Sequence, residues 1–376
     1  MSSERLYGTP VSRRELGLLL GWPEHLVGSE LLVHADGPAR GVRVVRMRSG
    51  EIELDVLPDR GLDILQAWVR GVPVGWRSPA PLAGPWLADP AGYGPLRTFS
   101  GGLLTTCGLD HVGEPTDDDI SQYGYPGLER EQFGLHGRFS FAPAQLEAYG
   151  VDWEADAPCA FVQGTMRQAR LLGESLSLRR RISVPLGGHE ITVRDEISND
   201  GFAASPHLLL YHVNAGWPLV QAGARIAATV GTPTMRPSGR ADEAWRTVGG
   251  PAEPHRWDHD VQPVDGRAGA AIVCDDIGDG RALGLELSWS ATSLPYLQQW
   301  HVLLGNGHNV VALEPSTLHV SGRVDAGAAG VLDVIEPGGV RSHELVLGLL
   351  CDRDEIAAAE ARLSTASPSD QKGSPT

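Results

Sequence analysis

The sequence is poor in cysteine, lysine and methionine, and it has no long apolar run. Its four cysteines (Cys107, Cys159, Cys274, Cys351) lie far apart and form no CxxC pair. That spacing is no zinc cassette, and four are too few for a disulfide framework in 376 residues. No apolar stretch approaches the ~20 residues of a membrane-crossing helix. The opening MSSERLYGTPVSRREL lacks the apolar core of a secretion signal. A reduced, cytoplasmic setting is therefore expected. There is no Walker loop, GxSxG elbow or HExxH pair either, so these phosphate-binding, serine-nucleophile and zinc-protease signatures are missing. Positive charge is in deficit: 31 Lys and Arg against 47 Asp and Glu leave −16. Such a surface repels phosphate backbones and anionic lipid, so neither nucleic acid nor membrane is expected as a partner. A neutral small molecule is unaffected, and a homodimer is compatible with the sequence.

Glycine (47) and proline (27) are abundant, and 41% of residues are hydrophobic, enough for a sizeable core. The Arg-, Ala- and Gly-rich composition points to a GC-rich bacterial genome. Most of the chain consists of short runs that alternate with period 2, among them GVRVVRMRSG, EIELDVLPDRG, HEITVRDEISNDG, RALGLELSW and NVVALEPST. Turn chemistry joins them at Arg48-Ser49-Gly50-Glu51, at Pro185-Leu186-Gly187-Gly188 and at Asn199-Asp200-Gly201, whose Asp-Gly favours a tight turn. Helical periodicity is confined to residues 12–21, with Ser12 as N-cap and Glu15 completing a capping box, and to 353–363. Many strands without interleaved helices predict an all-β, antiparallel sandwich or barrel. The division expected is an extension over 1–29, one β domain over 30–352, and a short helix with a disordered polar tail over 353–376.

Five segments hold chemistry-bearing residues, and each also has a plain structural reading. Arg97 precedes Gly101-Gly102, where it could present a planar donor fork to hydroxyls or simply pair with a surface carboxylate. His136, in Leu-His-Gly-Arg, suits a strand edge facing a cleft or a hydrogen-bonded structural role. In the apolar run Leu208–Asn214, period 2 places His212 and Asn214 on one face, where polar groups need partners or a pocket. His207 falls on the other face, so the two histidines are no simple metal pair. Glu314 ends an apolar strand before Pro315; buried, it would have a raised pKa, and at a strand end it could equally be solvated. Tyr296, Gln298 and Trp300 share a face, and Trp300 could stack on a sugar or pack in the core. His255–Asp260 is dense in donors but lacks metal-ligand spacing, and reads as a polar loop.

Taken in order, these motifs resemble the aldose 1-epimerase (galactose mutarotase-like) superfamily, as a divergent branch, from about residue 30 to 350. The shared features are the early Arg, the Leu-His-Gly step, a strand-borne His followed by Asn, Leu-Pro-x-Leu-x-x-Trp and a late Leu-Glu-Pro. The resemblance implies a β-supersandwich with a sugar cleft on one concave face, and a carbohydrate-active isomerase without metal or organic cofactor. It implies His212 as general acid and Glu314 as general base, with Arg97, His136, Asn214 and Trp300 at the sugar. The segment around His212 departs from the family's usual Asn-His-x-Tyr-Phe-Asn. Asp258-His259-Asp260 holds the candidate for the family's substrate-binding Asp. Two other functions fit the same residues. One is a sugar isomerase or lyase that abstracts a proton next to a carbonyl; the other is a carbohydrate-binding protein without turnover.

Overall fold

The alternating runs become two large antiparallel sheets packed face to face, so each strand has one side in a shared interior. The computed structural model describes residues 5–231, 234–236, 240–241, 244–249, 254–319 and 322–364. The smaller sheet has eight strands, in the order Gln145–Asp152, Cys159–Ala169, Ser175–Pro185, Glu190–Asn199, Val340–Leu350, Leu283–Ser290, Arg267–Cys274 and Arg225–Ala228. The larger has twelve; its central run is Tyr296–Leu303, Asn309–Ser316, Leu208–Ala215, Leu104–Leu109 and Asp63–Val69. This is the β-supersandwich that the resemblance implies.

The interior lies between the sheets. Leu209, Tyr211, Val213, Val311 and Leu313 from the large sheet meet Val162, Leu178, Ile182, Val193, Leu285 and Leu347 from the small one. Each such fully buried aliphatic side chain is worth about 1.5–3 kcal/mol against exposure. One ionic network crosses this apolar layer. Arg180, fully buried, donates to both oxygens of Asp195 (2.8 and 2.6 Å) and to Asp63 Oδ1 at 2.9 Å. The hydroxyls of Tyr211 and Thr106 donate to Asp195 and Asp63 respectively, each at 2.6 Å. Burial outweighs these partners at Asp63 and pushes its carboxyl up to about 6.

Turn residues act where expected at Gly50 and Gly187, which take φ +79° and +78° between paired strands. The Asp-Gly segment behaves differently: Asn199-Asp200-Gly201 closes no hairpin. Asn199 Nδ2 donates to Ala203 O and Ile335 O (2.9 and 2.7 Å), and the chain passes from the small sheet to the large one. A tertiary crossing has overridden the local turn preference.

The helix expected at 12–21 is Arg13–Leu19, with Ser12 Oγ accepting from Glu15 N at 3.1 Å and donating to its carboxylate at 2.6 Å. The C-terminal helix is Arg353–Ser364. A third helix, Arg323–Ala328, has no apolar periodicity in the sequence to announce it. The edge strand Val27–Val33 begins before residue 30, and the expected polar tail beyond residue 364 lies outside the described residues. No helix among the described residues is long and apolar enough to cross a membrane.

Candidate functional site

Strand register builds the site. Leu210 pairs with Ser316 and Val213 with Leu313, so His212 and Glu314 oppose each other across adjacent strands. The same rung continues from Thr105 opposite His212 to Gln298 opposite Glu314 and Asp258 opposite Gln298. Because side chains alternate, Tyr211 and Leu313 point into the sandwich while His212 and Glu314 point to the outer face.

That face is roofed by loops to give a cavity of ≈ 250 Å³, lined by His136, His212, Trp300, Glu314, Arg60 and Arg256, among others. His212 Nε2 lies 3.3 Å from Glu314 Oε1, and both side chains are buried. Phe99, His136 and Trp300 surround the imidazole of His212 at 6.0, 5.8 and 5.8 Å between ring centres, all nearly perpendicular to it. Such packing fixes the ring orientation. Burial raises the Glu314 carboxyl above the usual carboxylate value; His212 and Arg256 oppose the rise, and Asp258 adds to it.

His136 occupies a left-handed backbone conformation, φ 58°, at the Leu-His-Gly step. The Gly113 N–H donates to its Nδ1 at 3.3 Å. Burial, reinforced by the neighbouring His212, pushes His136 down to about 3. It is therefore neutral near pH 7, and with Nδ1 accepting, its proton sits on Nε2 as a hydrogen-bond donor. Cys107, on the same wall, is a silent thiol: burial and the Glu314 charge hold it well above the ordinary value.

Four of the residues singled out in the sequence meet in this cavity: His136, His212, Trp300 and Glu314. Two do not. Arg97 is exposed and outside the lining, because the short helical turn Gly94–Arg97 turns Pro95 and Leu96 toward the cavity instead. Asn214 shares the face of His212 but is fully buried beneath it, donating to Gly102 O and His212 O at 2.9 and 3.0 Å. The glycine pair beside Arg97 does permit close approach: Gly101 has φ +74°, and a Cβ there would stand 2.6 Å from Trp76 O. His255–Asp260 is a strand of the large sheet rather than a polar loop, and it delivers Arg256 to the cavity. Asp258 lies on the Glu314 rung, buried and outside the lining. Arg60 was missed altogether; its only sequence signal is the turn Pro58-Asp59-Arg60-Gly61.

A family model described as a domain of unknown function, DUF4432, matches residues 39–349. The chain belongs to the DUF4432 family. No curated protein matches the sequence. Solved structures share the fold. One described as a candidate aldose 1-epimerase from Klebsiella pneumoniae is 20% identical with a TM-score of 0.76, covering 90% of this chain and 87% of its own. A galactose mutarotase-like protein from Clostridium acetobutylicum is 14% identical with a TM-score of 0.60, covering 87% and 99%. A candidate aldose 1-epimerase from Escherichia coli K12 is 15% identical with a TM-score of 0.55, covering 83% and 100%. DUF4432 is thus a divergent family on the galactose mutarotase-like fold.

Proposed function

We propose that this DUF4432 protein is an isomerase of the aldose 1-epimerase type, interconverting the anomers of a sugar by ring opening. The observation that supports it most is the 3.3 Å contact between His212 Nε2 and Glu314 Oε1 inside a cavity of monosaccharide scale. The ring oxygen and the anomeric hydroxyl of an aldose are bonded to the same carbon. A proton donor and a proton acceptor standing side by side therefore reach both.

The mechanism requires Glu314 ionised and a proton on His212 Nε2. Glu314 takes the anomeric hydroxyl proton as the C1–O1 double bond forms. The C1–ring oxygen bond breaks, its electron pair goes to the ring oxygen, and His212 protonates that oxygen. Rotation about C1–C2 presents the other face of the aldehyde, and the same groups run in reverse. Each proton-transfer group contributes about 10²–10⁴-fold. Neutral His136 donates its Nε2–H to a sugar oxygen, and Trp300 covers a C–H face.

Exchange NMR on a panel of aldoses tests this. Anomer cross-peaks faster than the spontaneous rate are expected. Solvent deuterium entering at carbon, or a new product, would instead place the chemistry beside the carbonyl, and no exchange with any sugar would sink the proposal.

A further inference from the structure

The acid–base pair deals with the anomeric carbon, whereas two arginines in the same cavity bear on what the rest of the sugar carries. Arg60 is 7% exposed, and among the described residues it forms no ion pair. Its Nε donates to Ser140 O at 3.2 Å, and its Nη1 to Ala83 O and Thr98 O at 3.0 and 3.2 Å. The Phe141 ring lies 4.8 Å from the guanidinium carbon. Among the described residues Nη2 has no acceptor, and the residue lines the cavity. Arg256 lines it too, and its buried Nε has no hydrogen-bond partner among the described residues.

The chain does not lack carboxylates with which to pair them. Acidic residues outnumber basic ones 47 to 31, and many arginines are matched, as Arg46 is by Asp55, Arg180 by Asp63 and Asp195, and Arg225 by Asp275 and Glu360. A buried guanidinium held by neutral carbonyls is costly unless a ligand completes it. Burial accordingly pushes Arg60 down to about 10, with Asp63 opposing only in part. Arg256 has a separate task. Its charge acts on Glu314 and His136, so it offsets the catalytic carboxylate and leaves Arg60 for a second anion.

We propose that the substrate is an aldose bearing a single carboxylate, of the hexuronate class, with the acid group held by Arg60 Nη2 and Arg256 balancing Glu314. This rests on the aldose reading above. Glu114, the other carboxylate of the lining, is exposed and accepts from the Tyr93 hydroxyl at 2.8 Å; apart from that solvated group, two cations match two anions. A phosphate ester, carrying close to two charges, would exceed the match, and a neutral sugar would leave Arg60 unanswered.

The test reads affinity separately from turnover. Glucuronate, galacturonate and mannuronate are titrated calorimetrically into the intact protein beside glucose, galactose, mannose and glucose 6-phosphate, and anomer exchange is followed in parallel. At least one uronate is expected to bind about tenfold or more tighter than its parent aldose, as a charge-assisted hydrogen bond in a buried site should give. Equal or tighter binding of the neutral sugars, no measurable binding of any uronate, or a preference for the phosphate ester overturns the proposal. Neutral-sugar exchange without uronate preference sinks this inference alone. Uronate-selective binding without any exchange supports it and sinks the epimerase reading alone. In Arg60→Met the uronate-to-aldose ratio should fall about tenfold, and Arg60→Lys should keep part of it. A ratio that survives in Arg60→Met, with a wild-type circular dichroism spectrum, overturns the assignment of Arg60. If Arg60→Met does not fold, an unchanged ratio in Arg60→Lys counts the same way.

Discussion

Glu314 Oε1 stands 3.3 Å from His212 Nε2 because the two residues share one rung of adjacent antiparallel strands, although 102 positions (314 − 212) separate them in sequence. The strand frame fixes their separation, and Phe99, His136 and Trp300 fix the imidazole's tilt. A pair held this way keeps its mutual geometry without reorganising the backbone, which is what the proposed proton transfers need.

The first prediction concerns that pair. Glu314→Gln keeps the shape but cannot take a proton, and His212→Asn removes the donor. Each should lower anomer exchange at least ~10²-fold with a smaller effect on sugar affinity, since each removes a role made in the transition state. The double variant should lose far less than the product of the two losses, because the groups act as a unit. Exchange NMR decides it, and wild-type rates in Glu314→Gln would remove Glu314 from the chemistry.

The second prediction is the acid limb of the pH–rate profile. As the proposed base, Glu314 would work only when ionised, so kcat/KM should rise with pH through its ionisation. Burial raises that ionisation above the usual 4.5. The limb should therefore lie at higher pH than for an exposed carboxylate, and Glu314→Gln should abolish it. A limb centred below pH 4.5 contradicts the role.

The sequence revealed most of the strand-borne part of the site, though not Arg256, and of the turn-borne part only His136, through its Leu-His-Gly step. His212, Glu314 and Trp300 were legible because alternation fixes which face a residue takes and adjacent strands bring those faces together. Arg97 and Arg60 sit in turns, where no periodicity fixes direction. What buries Arg60 is the turn Phe139–Phe141 and the segment around Ala83 and Thr98, all remote in sequence. Asn214 obeys alternation and still lies outside the cavity lining, its side-chain N–H turned to the carbonyl of Gly102 just ahead of the neighbouring strand. The donor-rich run 255–260 resembles a polar loop until Tyr296–Leu303 supplies a strand partner.

The third prediction concerns the ionic bridge between the sheets. Arg180→Met removes the one cation that Asp63 and Asp195 share, leaving buried carboxylates unpaired. Breaking a buried pair this way costs about 3–5 kcal/mol. Urea unfolding at pH 7 should show that loss, while a loss below about 1 kcal/mol would mean the network contributes little.

The last prediction is acid sensitivity, and its sign follows from the buried histidines. Burial is the leading cause that lowers His111 and His259 to about 4, and His136, His301 and His343 to about 3. A histidine depressed in the folded state binds its proton more weakly there than in the unfolded chain. Its contribution is complete above the unfolded value near 6.5 and is lost as pH falls toward the folded values. Each costs about 1.4 kcal/mol per pH unit inside that window. Asp63 works the other way: raised to about 6, it gains its proton first in the folded state and offsets one histidine as pH drops. Five against one leaves a net loss even after Glu314, Asp110 and Glu174, raised by burial, add smaller offsets. The urea midpoint should therefore fall steeply between pH 7 and pH 5, with net proton uptake on unfolding. His343→Gln should flatten the slope, since it removes one of the five groups. A midpoint that holds or rises at pH 5 would show that these imidazoles are protonated in the native protein, and the neutral donor assigned to His136 would fall with it.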